Sequence, residues 1–135
     1  MQLLIETLVP VRWRDLDAYQ HVNNSVFLTF LEEARIQWFE SLPGPWRSAQ
    51  AEPVLAAMHL NFRRPILHPE TLRVELRAER IGRSSLTIAH RITSAGNGDC
   101  LYADGNSVVV WVSPTDGRPV ALPESVRLLA SGGGE

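Results

Sequence analysis

The stretch Val11–Arg35, VRWRDLDAYQHVNNSVFLTFLEEAR, decides how the rest of the chain is read. Asp15, Asp17, Tyr19, Asn23 and Asn24 crowd into ten residues between two apolar segments. Short Asx side chains accept hydrogen bonds from nearby backbone N–H groups, so this is a bend leading into a helix cap. The spacing predicts a helix that starts at Asn23 or Asn24, with one of them as the N-cap. Val26, Phe27, Phe30, Leu31, Ala34 and Trp38 then recur at three- and four-residue steps and form one apolar face. Ser25, Thr29, Glu32, Glu33 and Glu40 fall on the other, and Pro43-Gly44-Pro45 ends the helix. A helix of ~18 residues is roughly 27 Å long, close to the length of a strand of eight or nine residues, so a sheet can cover it end to end.

The flanking segments supply that sheet. Leu3–Trp13 reads as a strand, with Pro10 marking an edge or an irregularity. Leu42–Pro53 reads as a loop around Trp46, which packs against the helix end, and Val54–Ile66 as a strand with Pro65 near its end. In Thr71–Ile81, Leu72, Val74, Leu76 and Ala78 alternate with Arg73, Glu75, Arg77 and Glu79, the pattern of a half-buried antiparallel strand. Gly82-Arg83-Ser84 turns into Ser85–Thr93, where Leu86, Ile88 and His90 alternate with polar neighbours. Gly96-Asn97-Gly98-Asp99 is a hairpin signal before a last strand, Leu101–Val112. A short helix is expected over Glu124–Leu129, and residues 131–135 are expected to be disordered. Strand, helix, then four strands implies one α+β domain over residues 1–130, with a single antiparallel sheet of about five strands wrapped around the helix.

Composition narrows the function. A 135-residue chain with a net charge of −2 gives no reason to expect nucleic acid. No apolar run approaches the ~18 residues of a membrane span. The start, MQLLIETLVP, lacks the basic region of a signal peptide, and Cys100 alone excludes an intrachain disulfide, so a cytoplasmic location is expected. His21, His59, His68 and His90 show no metal-ligand spacing, and no metal or resident cofactor is expected. There is neither a G-x-S-x-G elbow nor a glycine-rich phosphate loop.

The chemistry at the bend follows from the helix start, whose unpaired N–H groups and partial positive charge can polarise a carbonyl. A carboxylate a few residues upstream, at Asp17, could attack that carbonyl or activate a water. Asp15 and Asp17 serve equally well as turn formers or as partners of Arg12 and Arg14.

Trp13, Asp15-Leu16-Asp17, His21-Val22-Asn23-Asn24 and Glu32-Glu33-Ala34-Arg35 together resemble the signature of the hotdog-fold acyl-CoA thioesterases, in the branch like 4-hydroxybenzoyl-CoA thioesterase. About 25 consecutive residues fit; the departure is Gln20, where many members carry glycine. The resemblance implies hydrolysis of an acyl-CoA or acyl-carrier-protein thioester, with Asp17 as nucleophile or general base. The oxyanion would lie against the N–H groups near Asn24 and Ser25. Asn23 would orient water or carbonyl, His21 would order the bend, and Asp15 would hold it. It also implies a homodimer, or a tetramer, with the acyl site at the subunit boundary. Coenzyme A would be bound as part of the substrate by Arg63, Arg64, Arg80, Arg83 and Ser85. Two alternatives are a hotdog hydratase or dehydratase, whose glycine-and-histidine pattern the helix lacks, and a noncatalytic acyl-CoA or acyl-carrier binding protein on the same fold.

Overall fold

In the computed structural model, residues 1–133 are described. Five strands form one antiparallel sheet: β1 (Gln2–Pro10), β2 (Glu52–Phe62), β3 (Thr71–Ile81), β4 (Ser85–Ser94) and β5 (Asn97–Val112). Their spatial order is β1-β3-β4-β5-β2, so β5, last in sequence, lies between β4 and β2, and both β1 and β2 are edges. The long helix α1 (Asn24–Ser41) packs on one face, and the short α2 (Glu124–Ala130) packs near β1 and β3. This is the α+β hotdog arrangement.

The helix starts where the cap chemistry placed it. Asn23 is extended, and its Oδ1 accepts from Ser25 N–H at 2.9 Å. Phe27, Phe30, Leu31, Ala34, Trp38 and Phe39 are buried against the sheet. The alternation in β3 holds throughout Leu72–Ala78, all four apolar residues being buried. On the outer face Arg73 pairs with Glu6 of β1 at 2.8 Å, and Arg77 with Glu75 at 2.8 Å. At the helix C-terminus Phe39 stacks on Trp46 at 4.8 Å and meets Trp111 edge-on at 5.8 Å. Trp111 Nε1 donates to the Trp46 carbonyl at 2.8 Å, which fixes the loop to the sheet.

Three boundaries differ from the sequence reading by three residues or more. β1 stops at Pro10, because Trp13–Asp15 turn into a 3₁₀ segment held by the Arg12–Asp15 ion pair. β2 ends at Phe62 rather than Ile66. The next two N–H groups, of Arg63 and Arg64, both point to the Tyr102 carbonyl, and Pro65 has none to offer. β5 begins at Asn97 rather than Leu101, so the reversal is Ala95-Gly96 and Ser94 pairs with Asn97. The Asn and Gly that read as a turn are drawn into the ladder by their neighbours on β4. After α2, Gly132 N–H and Gly133 N–H bond to the carbonyls of Leu129 and Leu128. Residues 134 and 135, the end of the expected disordered tail, lie outside the described residues.

Candidate active site

The bend between β1 and α1 is built around Asp15. The residue is 2% exposed, and its carboxylate accepts from Arg12 N–H at 2.8 Å and from the Arg12 guanidinium at 3.0 Å. The Asp15 carbonyl accepts from Asn23 N–H at 2.9 Å, which ties the start of the bend to the helix cap. Leu16 bridges Val22, and Val22 N–H bonds to the Ile66 carbonyl at 2.9 Å. Asp17–His21 is thereby pinched off as a small loop. Asp17 N–H bonds to the His21 carbonyl at 2.9 Å, so it is the main chain of His21, not its imidazole, that closes the bend. Gln20 takes φ +66°, the left-handed region that glycine tolerates best. A glutamine in this region carries backbone strain that a glycine would not.

Asp17 is half-buried, with Oδ1 accepting from Tyr19 N–H at 2.8 Å and Oδ2 without a hydrogen-bond partner among the described residues. At the helix start, the Asn23 cap occupies Ser25 N–H, and Ser25 Oγ also donates to Asn23 Oδ1 at 2.8 Å. Val26 N–H bonds to the Asn23 carbonyl. Asn24 N–H, which has no acceptor among the described residues, is therefore the donor left open in the first turn.

Asp17, His21, Asn23 and Asn24 line one cleft of about 490 Å³. Phe27 and Phe62 form its apolar wall, in edge-on contact at 5.0 Å, and Arg63 and Arg64 stand at its rim. The size suits a small-molecule ligand, and polar and charged side chains make up most of the lining. Arg63 donates through Nε to Asp104 at 3.0 Å, and Arg64 reaches Cys100 Sγ at 3.7 Å. The Tyr102 carbonyl that holds both arginine N–H groups is anchored in turn, because the Tyr102 hydroxyl donates to Glu70. Burial, reinforced by that hydrogen bond, pushes the Tyr102 pKa up, so the phenol stays a donor.

Arg80, Arg83 and Ser85 are elsewhere. They lie at the β3–β4 turn, where Ser85 pairs with Val110 of β5, whereas the cleft lies beside Ala103. Seven residues of strand separate these positions, about 23 Å. Within one protomer they do not join Arg63 and Arg64. Tyr19, 82% exposed, also lines the cleft. The signal available for it was one aromatic ring among polar bend residues. Trp38, Phe39 and Trp111 are core residues; Phe62 belongs to the cleft. Among the described residues no three His, Cys, Asp or Glu side chains are grouped to hold a metal ion.

A helix wrapped by a five-stranded antiparallel sheet defines a hotdog protein. The chain belongs to the thioesterase-like superfamily, whose family model matches residues 11–128. It is 30% identical over 125 residues to the long-chain acyl-CoA thioesterase FadM of Escherichia coli K12, covering 91% of this chain and 94% of that one. The PA2801 protein of Pseudomonas aeruginosa is 39% identical, with a TM-score of 0.88 over 95% of this chain and 98% of that one. A thioesterase of Thermus thermophilus, solved with coenzyme A and Zn, is 39% identical, with a TM-score of 0.76 over 93% of this chain and 95% of that one. The resemblance read from residues 11–35 thus extends over nearly the whole chain.

Proposed function

We propose that the protein is an acyl-CoA thioesterase and that Asp17 drives the hydrolysis. The observation that carries this reading is that Asp17, whose Oδ2 has no partner among the described residues, and Asn24, whose N–H has no acceptor among them, line the same cleft. The thioester carbonyl oxygen would sit against Asn24 N–H, where the helix dipole favours the developing negative charge. Asp17 then acts in one of two ways. It takes a proton from a water that attacks the carbonyl carbon, or it attacks that carbon itself to give an anhydride that water opens. In both routes the C–S bond breaks, the thiolate of coenzyme A leaves and takes up a proton, and the acyl group leaves as the free acid. Asn23 Nδ2, which its capping role does not use, would orient the water.

Arg63 and Arg64 would receive the phosphates of coenzyme A, since both stand at the rim and guanidinium groups pair well with phosphate. A second copy of the chain would supply the Arg80–Ser85 turn. β2 is an open edge carrying Val54 and Leu55 at 43% and 46% exposure, and open apolar edges favour pairing. Antiparallel pairing of two β2 strands would bring the Val54 end of one sheet beside the Phe62 end of the other. That places the second copy's turn at the end of the assembly where this cleft opens. Arg35, on the α1 side facing this edge cleft with Val54 and Leu55, has no ion pair within 4.0 Å among the described residues, and burial lowers its pKa. The free thiol of Cys100 fits a reducing compartment such as the cytoplasm. Among the described residues no helix is long and apolar enough to cross a membrane.

Thiol release from a panel of acyl-CoAs tests the reaction. Asp17→Asn should lower kcat by about 10²–10⁴-fold while the protein stays folded. Equal turnover by both proteins removes Asp17 from the chemistry. Binding without turnover by wild type makes this an acyl-CoA binding protein. Sedimentation velocity tests the assembly: a dimer or larger species is expected at micromolar concentration, and a lone monomer would end the two-copy site.

A further inference from the structure

The arginine pair at the rim of the cleft is held by one short piece of β5. Arg63 N–H and Arg64 N–H bond to the Tyr102 carbonyl at 2.8 and 3.3 Å. Arg63 Nε donates to Asp104 Oδ1 at 3.0 Å, and Asn61 Nδ2 donates to the same oxygen at 3.2 Å. Arg64 Nη1 reaches Cys100 Sγ at 3.7 Å. Cys100, Tyr102 and Asp104 are alternate residues of the strand. Both Nη groups of Arg63, and Nε and Nη2 of Arg64, have no partner among the described residues. These donors remain for a phosphate.

Tyr102 is itself placed by an irregularity of the sheet. Ile92 of β4 pairs with Ala103 and Thr93 pairs with Leu101, so Tyr102 is the extra residue of a β-bulge. On the other side, the ladder with β2 ends at the Phe62–Ala103 pair. Tyr102 thus pairs with no residue of β4 or β2, and its carbonyl goes to the two arginine N–H groups. The residue is buried, and its hydroxyl donates to Glu70 Oε2. Glu70 Oε1 accepts from Thr71 N–H at 2.8 Å and from the Ser94 hydroxyl at 3.3 Å. The Glu70 carbonyl accepts from Val11 N–H at 2.9 Å, where the bend that carries Asp17 begins. A half-buried carboxylate is costly unless its lone pairs are filled. Here they are filled by groups from three strands, β3, β4 and β5. An apolar pair would avoid that cost; what the carboxylate and the phenol add is a fixed direction.

We propose that Glu70 and Tyr102 are positioning residues for recognition of the carrier. The Glu70–Tyr102 hydrogen bond fixes the bulge, and the bulge sets Arg63 and Arg64 for the phosphates of coenzyme A. The proposal rests on the thioesterase reading and its arginine rim, and it names what holds that rim. Neither Glu70 nor Tyr102 lines the cleft, so neither meets the thioester. Ordering a long side chain on binding costs affinity, and an arginine already held at its main chain and at one side-chain nitrogen has less to lose. The pair therefore acts on the nucleotide end of the substrate and leaves the acyl end alone.

The test measures thiol release from an acyl-CoA and from the acyl-pantetheine with the same acyl group, which lacks the phosphates. Tyr102→Phe keeps the ring and removes only the hydroxyl. It should raise KM for acyl-CoA about tenfold, the order expected for two arginines that must now be ordered on binding, and move kcat and the KM for acyl-pantetheine by less than about twofold. Glu70→Ala should do the same, and the double variant no more, because both changes break one bond. Glu70→Gln, which keeps a hydrogen-bonding partner for the phenol, should recover most of the wild-type KM. An equal rise for both substrates, or an unchanged KM for acyl-CoA, overturns the proposal. Arg63→Ala separates the rim from what holds it. If that variant raises KM for acyl-CoA and Tyr102→Phe does not, the rim stands and the positioning role falls; if neither does, both fall. Calorimetry with coenzyme A alone needs no turnover. Its affinity should drop by the same factor in Tyr102→Phe, and equal affinity in the two proteins overturns the proposal. Inactivity of wild type towards every thioester would count against the thioesterase reading, while the calorimetry still decides the role of Glu70 and Tyr102.

Discussion

The two ends of α1 are built on opposite principles. At the C-terminal end, Phe39, Trp46 and Trp111 close on one another, and the Trp111 N–H finds the Trp46 carbonyl. At the N-terminal end one donor and one carboxylate oxygen have no partner among the described residues, and Gln20 holds a left-handed backbone. Aromatic pairs of this kind contribute about 0.5–1.5 kcal/mol each beyond their burial. The closed end holds the helix rigidly on the sheet. The other end leaves groups without partners among the described residues, on residues that line a cleft.

The largest expected effect breaks the closed end. Trp111→Ala should lower stability by about 3–5 kcal/mol in denaturant unfolding, because the cavity left at its site cannot collapse. The rate per folded molecule should change less than twofold, roughly within the scatter of measured rates. A fall in kcat comparable to that of Asp17→Asn would mean that the two ends are one cooperative unit.

A second test falls between the ends, at His90. Burial lowers its folded pKa from 6.5 to about 4, so its contribution is complete above pH 6.5 and is lost as the pH falls through 4. The loss amounts to about 3 kcal/mol, and it should be missing from His90→Leu when the two stability–pH curves are subtracted. Parallel curves would show that the ring is solvated in the folded state.

The smallest effect sharpens the open end. Gln20→Gly relieves the left-handed strain but adds freedom to the unfolded chain, for a net stabilisation of about 0.5–1 kcal/mol. A melting temperature that falls instead would show that the Gln20 side chain itself supports the bend.

How much of this could be read from the sequence varied with the range of the interactions involved. The helix from Asn24, the bend around Asp17 and the alternation of β3 depend on neighbours within a few residues, and they stand where the local pattern put them. The first residues of β5 read as a turn, because Asn97 and Gly98 carry turn chemistry. Pairing with β4 decided otherwise, and context of that kind is invisible in a window of ten residues. The same limit applied at the site. Nothing around Arg80, Arg83 and Ser85 says that they sit at the far end of the sheet. The pattern turned His90 inward correctly. That its ring would lie on Gly105 depends on a residue fifteen positions away, on the adjacent strand.

The strand order has a consequence for synthesis. β2 is complete at Phe62, yet its only neighbour in the sheet, β5, starts at Asn97. A chain emerging from the ribosome therefore presents an apolar strand with no mate for some thirty-five residues, roughly two to seven seconds at usual elongation rates. Throughout that interval Val54, Leu55 and Phe62 are open to chaperones and to the same strand on neighbouring nascent chains. Where ribosomes crowd one message, two copies can meet by this strand before either sheet has closed.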